Sequence, residues 1–229
     1  MKPNYYLTLF FLFIFSTLSL SSTAAPVPYN ANWKLVSQKD GIKIYEKEIK
    51  NQDLLAFKGE AVVNANIAKI AQVLGDNSRK IEWAPNIEKA TTLRTLSFYE
   101  RIEFSHTNTP WPLKDRDFVF KANIKLDQEK KQLKIFIKSI PFKDLSRGEN
   151  VRGELNQTIF TVKSIGDGSK SLVSFEVFAD PKGSIPNWVA NIFQKDWPRK
   201  TLEGLRKQVK KSDVLEHQFI KDYFKQKSS

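Results

Sequence analysis

The side chains that could perform catalysis are few in this chain and poorly spaced for it. With 2 His and no Cys, it lacks a cysteine nucleophile, thiolate metal sites and disulfides. No Gly-x-Ser-x-Gly segment exposes a nucleophilic serine, and His106 and His217 are not part of a His-Glu-x-x-His zinc motif. A glycine-rich phosphate loop is also missing. We therefore expect no enzymatic activity, no metal site and no cofactor.

Three consecutive charged residues, Asp115, Arg116 and Asp117, open an apolar strand. The preceding segment, 110–114, holds two prolines around a tryptophan, which keep it extended. A turn-capping ion pair at the rim of a sheet would explain the two aspartates. Arg116 is a candidate ligand-binding residue, but we expect its guanidinium to be a structural anchor, bonded to a carboxylate or to backbone carbonyls.

The N-terminus has the pattern of an export signal. Lys2 precedes an uncharged apolar run over residues 5–20, and small residues follow at 21–25. The run is shorter than the roughly 20 apolar residues of a membrane span. We expect a signal peptide over residues 1–24, a mature chain that starts near Ala25, and a periplasmic or secreted location. A retained signal anchor is the alternative.

The chain is strongly basic, with 37 Lys+Arg against 25 Asp+Glu and a formal charge of +12. This excess favours anionic partners, such as phospholipid headgroups, acidic envelope polymers or nucleic acid. An exported chain without a helix-turn-helix, zinc or RNA-binding signature is not expected to bind nucleic acid. Transient contact with an anionic membrane surface remains as an expectation.

The order of elements predicts one α+β domain over residues 25–229, with a core at 32–211 and a polar tail at 212–229. Alternating residues predict a strand pair at 41–47 and 55–63. Asn66 can cap a helix that ends at Gly75, and a helical turn follows at 78–83. Strands are then predicted near 87–94, 97–107, 117–126, 132–138, 151–163 and 170–179.

A long helix is expected as the last element, with Ser184 as its cap and Pro186 in its first turn. Its apolar residues recur at three-and-four spacing and include two tryptophans. Such a stripe can fill a core or wall a ligand cavity. We favour the cavity wall for Val189, Ile192 and Phe193, with Trp188 on the rim and a kink at Pro198.

The chain resembles the steroidogenic-acute-regulatory-protein-related lipid-transfer (START) domains over residues 32–211. The matching pieces lie at 33–42, at Glu82 and Trp83, at 110–119 and at 180–186, before the long helix. The resemblance implies a helix-grip fold, in which a curved antiparallel sheet wraps around the C-terminal helix and encloses a hydrophobic cavity. It also implies one bound hydrophobic molecule per domain.

The resemblance also identifies Glu103 as a candidate cavity acid. Several family members pair this acid with an Arg six residues beyond the Arg-Asp-Phe motif, but Ala122 occupies that position here. A buried Glu103 would then need Arg101, Arg116 or a polar group of the ligand. His106, on the opposite face of the same strand, is a further candidate ligand contact, although a strand histidine with local partners is the simpler interpretation.

These observations together predict an exported, monomeric lipid-binding or lipid-transfer protein that holds one hydrophobic molecule. One alternative is a basic peripheral envelope protein that docks on anionic membrane without cargo. Another is a cyclase-like or hydrolase-like enzyme on the same fold.

Overall fold

The computed structural model describes residues 33–143, 145 and 148–225. The predicted signal peptide and its cleavage site lie outside the described residues. The strands are β1 (Lys34–Lys39), β2 (Ile42–Lys47), β3 (Ala56–Val63), β4 (Ile87–Thr95), β5 (Glu100–Thr107), β6 (Arg116–Asp127), β7 (Gln132–Ser139), β8 (Val151–Arg152), β9 (Glu154–Ile165) and β10 (Lys170–Asp180). The helices are α1 (Ile67–Gly75), a 3-10 helix (Asn77–Glu82), α2 (Asn187–Gln208) and α3 (Gln218–Lys225).

The strands form one sheet in the order β1-β2-β3-β10-β9-β7-β6-β5-β4, with β8 paired to β6. Neighbours along this path are antiparallel, and only the short β8 pairs in parallel. Successive residues of a strand point to opposite faces, so one face of the sheet carries the core. The predicted α+β helix-grip fold is confirmed, with the sheet packed around α2.

The second half of α2 is the part that fits most closely into the sheet. Leu202 and Leu205 are fully buried. A Cβ added to Gly204 would lie 2.0 Å from the carbonyl oxygen of Trp83, so only a glycine lets the helix approach the 3-10 helix this closely. Arg206 donates hydrogen bonds to the carbonyls of Asp40, Gly41 and Val62. This half of α2 is therefore held by both apolar packing and hydrogen bonds.

Of the two predicted helix caps, the structure shows one. Asn66 caps α1 as predicted, since its side chain accepts from the backbone N–H of Lys69 at 2.9 Å. Ser184 does not cap α2; Pro186 is the N-cap residue and offers no side-chain hydrogen bond. The strand β1 was not predicted, because its residues are mostly exposed and do not alternate clearly.

The predicted polar tail contains a structured helix. In α3, Ile220 is buried, and Phe224 packs against the core beside it. His217 donates its backbone N–H to the carbonyl of Ala68, which ties this segment to α1. The apolar residues of α3 are few but lie on one side of the helix, so the polar composition of the segment did not reveal it. Within the part of the chain described here, no helix is both long and apolar enough to cross a membrane.

Candidate functional site: a cavity between the sheet and the C-terminal helix

A cavity of about 120 Å³ lies between the inner face of the sheet, the 3-10 helix and α2. Its wall is mostly apolar and includes the aromatic residues Trp83, Phe104, Phe118, Phe120, Phe160, Phe175 and Trp197. Phe160 and Phe175 stack at 4.4 Å between ring centroids, and Trp197 meets Phe175 edge-on at 6.3 Å. Such a lining suits an apolar ligand.

A charged cluster forms one part of this wall. Glu103 is buried on β5, with 7% of its surface exposed, and its carboxylate lies 3.3 Å from Nε of Arg101. Lys80, from the 3-10 helix, also lines the cavity and donates to the carbonyl of Leu74 at 2.7 Å. Burial lowers the pKa of the Lys80 ammonium because desolvation disfavours its charged form. The apolar cavity therefore has a polar region.

The strand register explains where the arginine partner of Glu103 comes from. Arg101 on β5 lies directly opposite Ala122 on β6. The side chain absent at position 122 is thus supplied from the facing position of the neighbouring strand. Of the three partners considered from the sequence, the structure selects Arg101. Arg101 and Glu103 are two residues apart on β5, so their side chains share one face of the strand.

Two threonine hydroxyls add further polar points to the cavity wall. Thr158 on β9 and Thr201 on α2 are both buried and both line the cavity. Neither Oγ1 has a hydrogen-bond partner among residues 33–143, 145 and 148–225. A buried hydroxyl without a partner is costly, so each can accept or donate a bond to a polar group of a ligand. No feature of the sequence marked either residue.

Arg116 lies away from this cavity and anchors the backbone instead. Its guanidinium donates to the carbonyl oxygens of Lys114, of Pro181 at 3.3 Å and of Lys182 at 3.3 Å. The side chain is only 5% exposed, and it is not among the residues that line the cavity. It joins the turn before β6 to the segment that leads into α2, as the anchoring prediction required.

His106 is on the outer side of β5, where its ring Nε2 lies 3.1 Å from Oδ2 of Asp115. The same carboxylate accepts the backbone N–H of Thr109 at 2.8 Å. These bonds, with Thr109 contributing most, lower the pKa of Asp115. Ligand atoms of Glu88, His106 and Asp115 lie within 4.8 Å of one another. Local hydrogen bonds account for this cluster, and His106 does not line the cavity.

The structure corrects the predicted face of α2. Trp188, Ile192 and Phe193 point outward and are 68%, 60% and 48% exposed. Neither these residues nor the half-buried Val189 line the cavity. The inward face of this half carries Ala190 and Gln194, and the Gln194 amide donates to the carbonyl of Ala179 at 3.0 Å. Ligand contact by Val189, Ile192 and Phe193 stays a prediction that this geometry does not support.

The family comparison agrees with the architecture. The family model described as "START domain" matches residues 29–212. The chain belongs to the START domain family. This START protein is 26% identical over 180 residues to an uncharacterized protein of Pseudomonas aeruginosa, covering 79% of this chain and 88% of the relative.

Solved structures share the fold, and two of the following three are named as lipid transfer proteins. A STAR-related lipid transfer protein from Xanthomonas axonopodis is similar at a TM-score of 0.69 and 25% identity, covering 78% of this chain and 99% of that chain. Human STARD10 has a TM-score of 0.72 and 21% identity, and the match covers 79% of this chain and 74% of that chain. Human StAR-related lipid transfer protein 5 has a TM-score of 0.73 and 16% identity, and the match covers 79% of this chain and 87% of that chain. This START protein therefore has a lipid-binding fold.

Proposed function

We propose that this START protein acts as an exported monomer that binds one hydrophobic molecule in the cavity between the sheet and α2. The observation that carries the proposal is the aromatic cavity wall with a single charged region. The similar Xanthomonas protein is named for lipid transfer, which supports a lipid as the cargo. Burying about 300 Å² of apolar surface would contribute about 7 kcal/mol before the costs of binding.

A lipid held in the central cavity alone would need that cavity to widen. Pockets for drug-sized ligands measure roughly 300–1,000 Å³, and the cavity measures about 120 Å³. The first half of α2 is held mainly by side-chain hydrogen bonds: Asn187 and Asn191 donate to Asp53, at 3.2 Å each. The second half is tightly packed, and Pro198 lies between the two halves. Movement of the first half about Pro198 would open the cavity at a modest cost.

Crosslinking the first half of α2 should block cargo exchange. The chain has no cysteine, so Asp53→Cys with Asn187→Cys gives one defined thiol pair for a reducible bis-maleimide. We expect crosslinked protein to exchange a fluorescent lipid with vesicles at least about tenfold more slowly, and reduction to restore the rate. Lys39→Cys with Arg199→Cys, beyond Pro198, is the matched control. Equal exchange by both crosslinked proteins would show that the cavity opens elsewhere.

Membrane contact by the outer face of α2 is part of the proposal. Trp188, Ile192 and Phe193 form an exposed apolar face on a chain with a charge of +12. Exposed apolar residues and basic charge together favour the surface of an anionic membrane. The same face would serve the alternative function, membrane docking without cargo. Occupancy of the cavity distinguishes the two functions.

We also propose that export removes the N-terminal segment. The apolar run is short, and small residues follow it before Ala25. N-terminal sequencing of protein purified from the producing cell should give a start near Ala25 in a non-cytoplasmic fraction. An intact Met1 in the membrane fraction would contradict this proposal and indicate a retained anchor.

A further inference from the structure

A second cavity, of about 500 Å³, lies beneath α3. It is at the end of the sheet where β4 turns into β5 and β6 turns into β7. α1 and the segment from His217 to Ile220 complete its wall. The helix α3 lies beyond residue 212, where the family match ends. This cavity is therefore built in part by a segment of this chain that the family model does not include.

The two cavities are neighbours that share wall residues. Arg101 and Ile135 line both of them, and Leu74 of the first cavity is followed directly by Gly75 of the second. The side chains of Arg101 and Ile135 thus stand between the two spaces. Their volumes together reach about 620 Å³, within the range of pockets that hold a whole ligand. The central cavity alone is far below that range.

The lining of the central cavity holds two cationic side chains, Lys80 and Arg101, and one acid, Glu103. Both cations donate to carbonyls at the end of α1, Lys80 to Leu74 and Arg101 to Gly75 at 3.2 Å. Each retains N–H groups beyond those bonds, since an ammonium has three and a guanidinium five. An anionic group placed here would gain charge-assisted hydrogen bonds.

Asp76, an acid in the wall of the second cavity, acts on one of the same cations: burial has the largest effect and lowers the pKa of Lys80, whereas the charge of Asp76 raises it. Asp76 accepts hydrogen bonds from the backbone N–H and the hydroxyl of Ser78. His217, which also lines the second cavity, has a buried Nδ1 with no hydrogen-bond partner in the described part of the chain. The second cavity thus has an unsatisfied polar atom in its own wall.

We propose that the cargo occupies both cavities as one chamber and is an elongated apolar molecule with an anionic group held by Arg101 and Lys80. This inference rests on the proposed function and extends it to a chemical class of ligand. A carboxylate or a phosphate monoester carries the required charge. The segment 213–225 then forms part of the ligand chamber, and Arg101 marks the point where the ligand passes from one cavity to the other.

The extent of the chamber is tested with ligands of different length. Delipidated full-length protein is loaded with dansyl-labelled undecanoic acid, which octanoic or hexadecanoic acid then displaces. Thr95→Trp and Gln72→Trp place an indole in the second cavity from opposite walls. We expect either variant to bind hexadecanoic acid about tenfold more weakly than the wild type and to bind octanoic acid with unchanged affinity. Lys163→Trp, on an exposed position of β9 outside both cavities, should bind like the wild type.

The anionic group is tested with matched head groups on one chain length. Hexadecanol, hexadecanoic acid and hexadecyl phosphate are compared as competitors. Arg101→Gln should lower the affinity for the acid or the phosphate by about tenfold, while the affinity for the alcohol should change by no more than about twofold. The anion whose affinity falls more on this substitution identifies the head group. Equal losses for the anions and the alcohol would overturn the charge assignment.

The outcomes separate this inference from the proposed function. Ala122→Phe adds a ring to the wall of the central cavity alone. If it abolishes binding of every ligand while both tryptophan variants bind hexadecanoic acid normally, the proposed function holds and the second cavity is not part of the chamber. If Ala122→Phe leaves the affinity for every ligand unchanged and no ligand displaces the dansyl probe from the wild type, the proposed function itself fails.

Discussion

Ala122→Phe should abolish cargo binding while the protein stays folded. Ala122 is buried on β6 and lines the central cavity, so an added ring would take up most of about 120 Å³. Filling an existing space costs little stability, whereas overpacking a full core costs about 1–3 kcal/mol. We expect binding of a fluorescent lipid to fall below detection, with a small change in melting temperature.

The neighbouring residue supplies the control for this prediction. Adjacent strand residues point to opposite faces, and Lys121 is part-exposed, with its ammonium 3.5 Å from Glu100. Lys121→Phe should therefore place the same ring outside the cavity and leave affinity unchanged. If Ala122→Phe is folded and binds lipid like the wild type, the cavity between the sheet and α2 is not the binding site.

Arg116→Ala should cost more stability than any surface arginine change. The substitution removes the donors for three backbone carbonyls, at Lys114, Pro181 and Lys182. A buried acceptor left unpaired costs about 1–3 kcal/mol, so the loss of three donors is expected to cost about 3 kcal/mol or more in chemical denaturation. Lipid affinity of the folded fraction should change little, because Arg116 does not line the cavity.

Arg199→Ala is the matched control for this stability measurement. Arg199 is half-buried and donates to the carbonyl of Lys39 at 3.3 Å and to the hydroxyl of Ser37 at 2.8 Å. Its removal should cost about 1 kcal/mol or less, because water can reach both acceptors once the side chain is gone. Arg116→Lys should not restore the loss, because an ammonium cannot reproduce the geometry of the planar guanidinium. Normal stability of Arg116→Ala with lost binding would make Arg116 a ligand residue.

Sequence reasoning located most strands because period-two alternation depends only on which face of a strand meets the core. The capping of α1 by Asn66 was predictable for a similar reason, since the cap and its N–H are three residues apart. The face of α2 was not. Its first half offers two candidate faces, one with large apolar residues and one with Ala190 and Gln194. The tertiary hydrogen bond from Gln194 to Ala179 favours the second face.

Part of the charged region of the cavity was hidden for another reason. Arg101 and Glu103 are two residues apart on β5, so the sequence already places them on one face of that strand. Lys80 joins them only through the packing of the 3-10 helix on the sheet, which leaves no spacing signal along the chain. The family pattern located Glu103 correctly on the inner face but left its partner open, because the expected arginine position holds Ala122. The cavity beneath α3 was missed with the helix that covers it.

The most direct test of a hydrophobic cargo is lipid extraction and mass spectrometry of protein purified from its producing cell. Wild-type protein should carry one hydrophobic molecule per chain, and Ala122→Phe purified in parallel should carry none. Lys121→Phe should carry the same molecule as the wild type. A wild-type protein that binds anionic vesicles but yields no bound molecule above the level of Ala122→Phe would contradict the account and favour membrane docking without cargo.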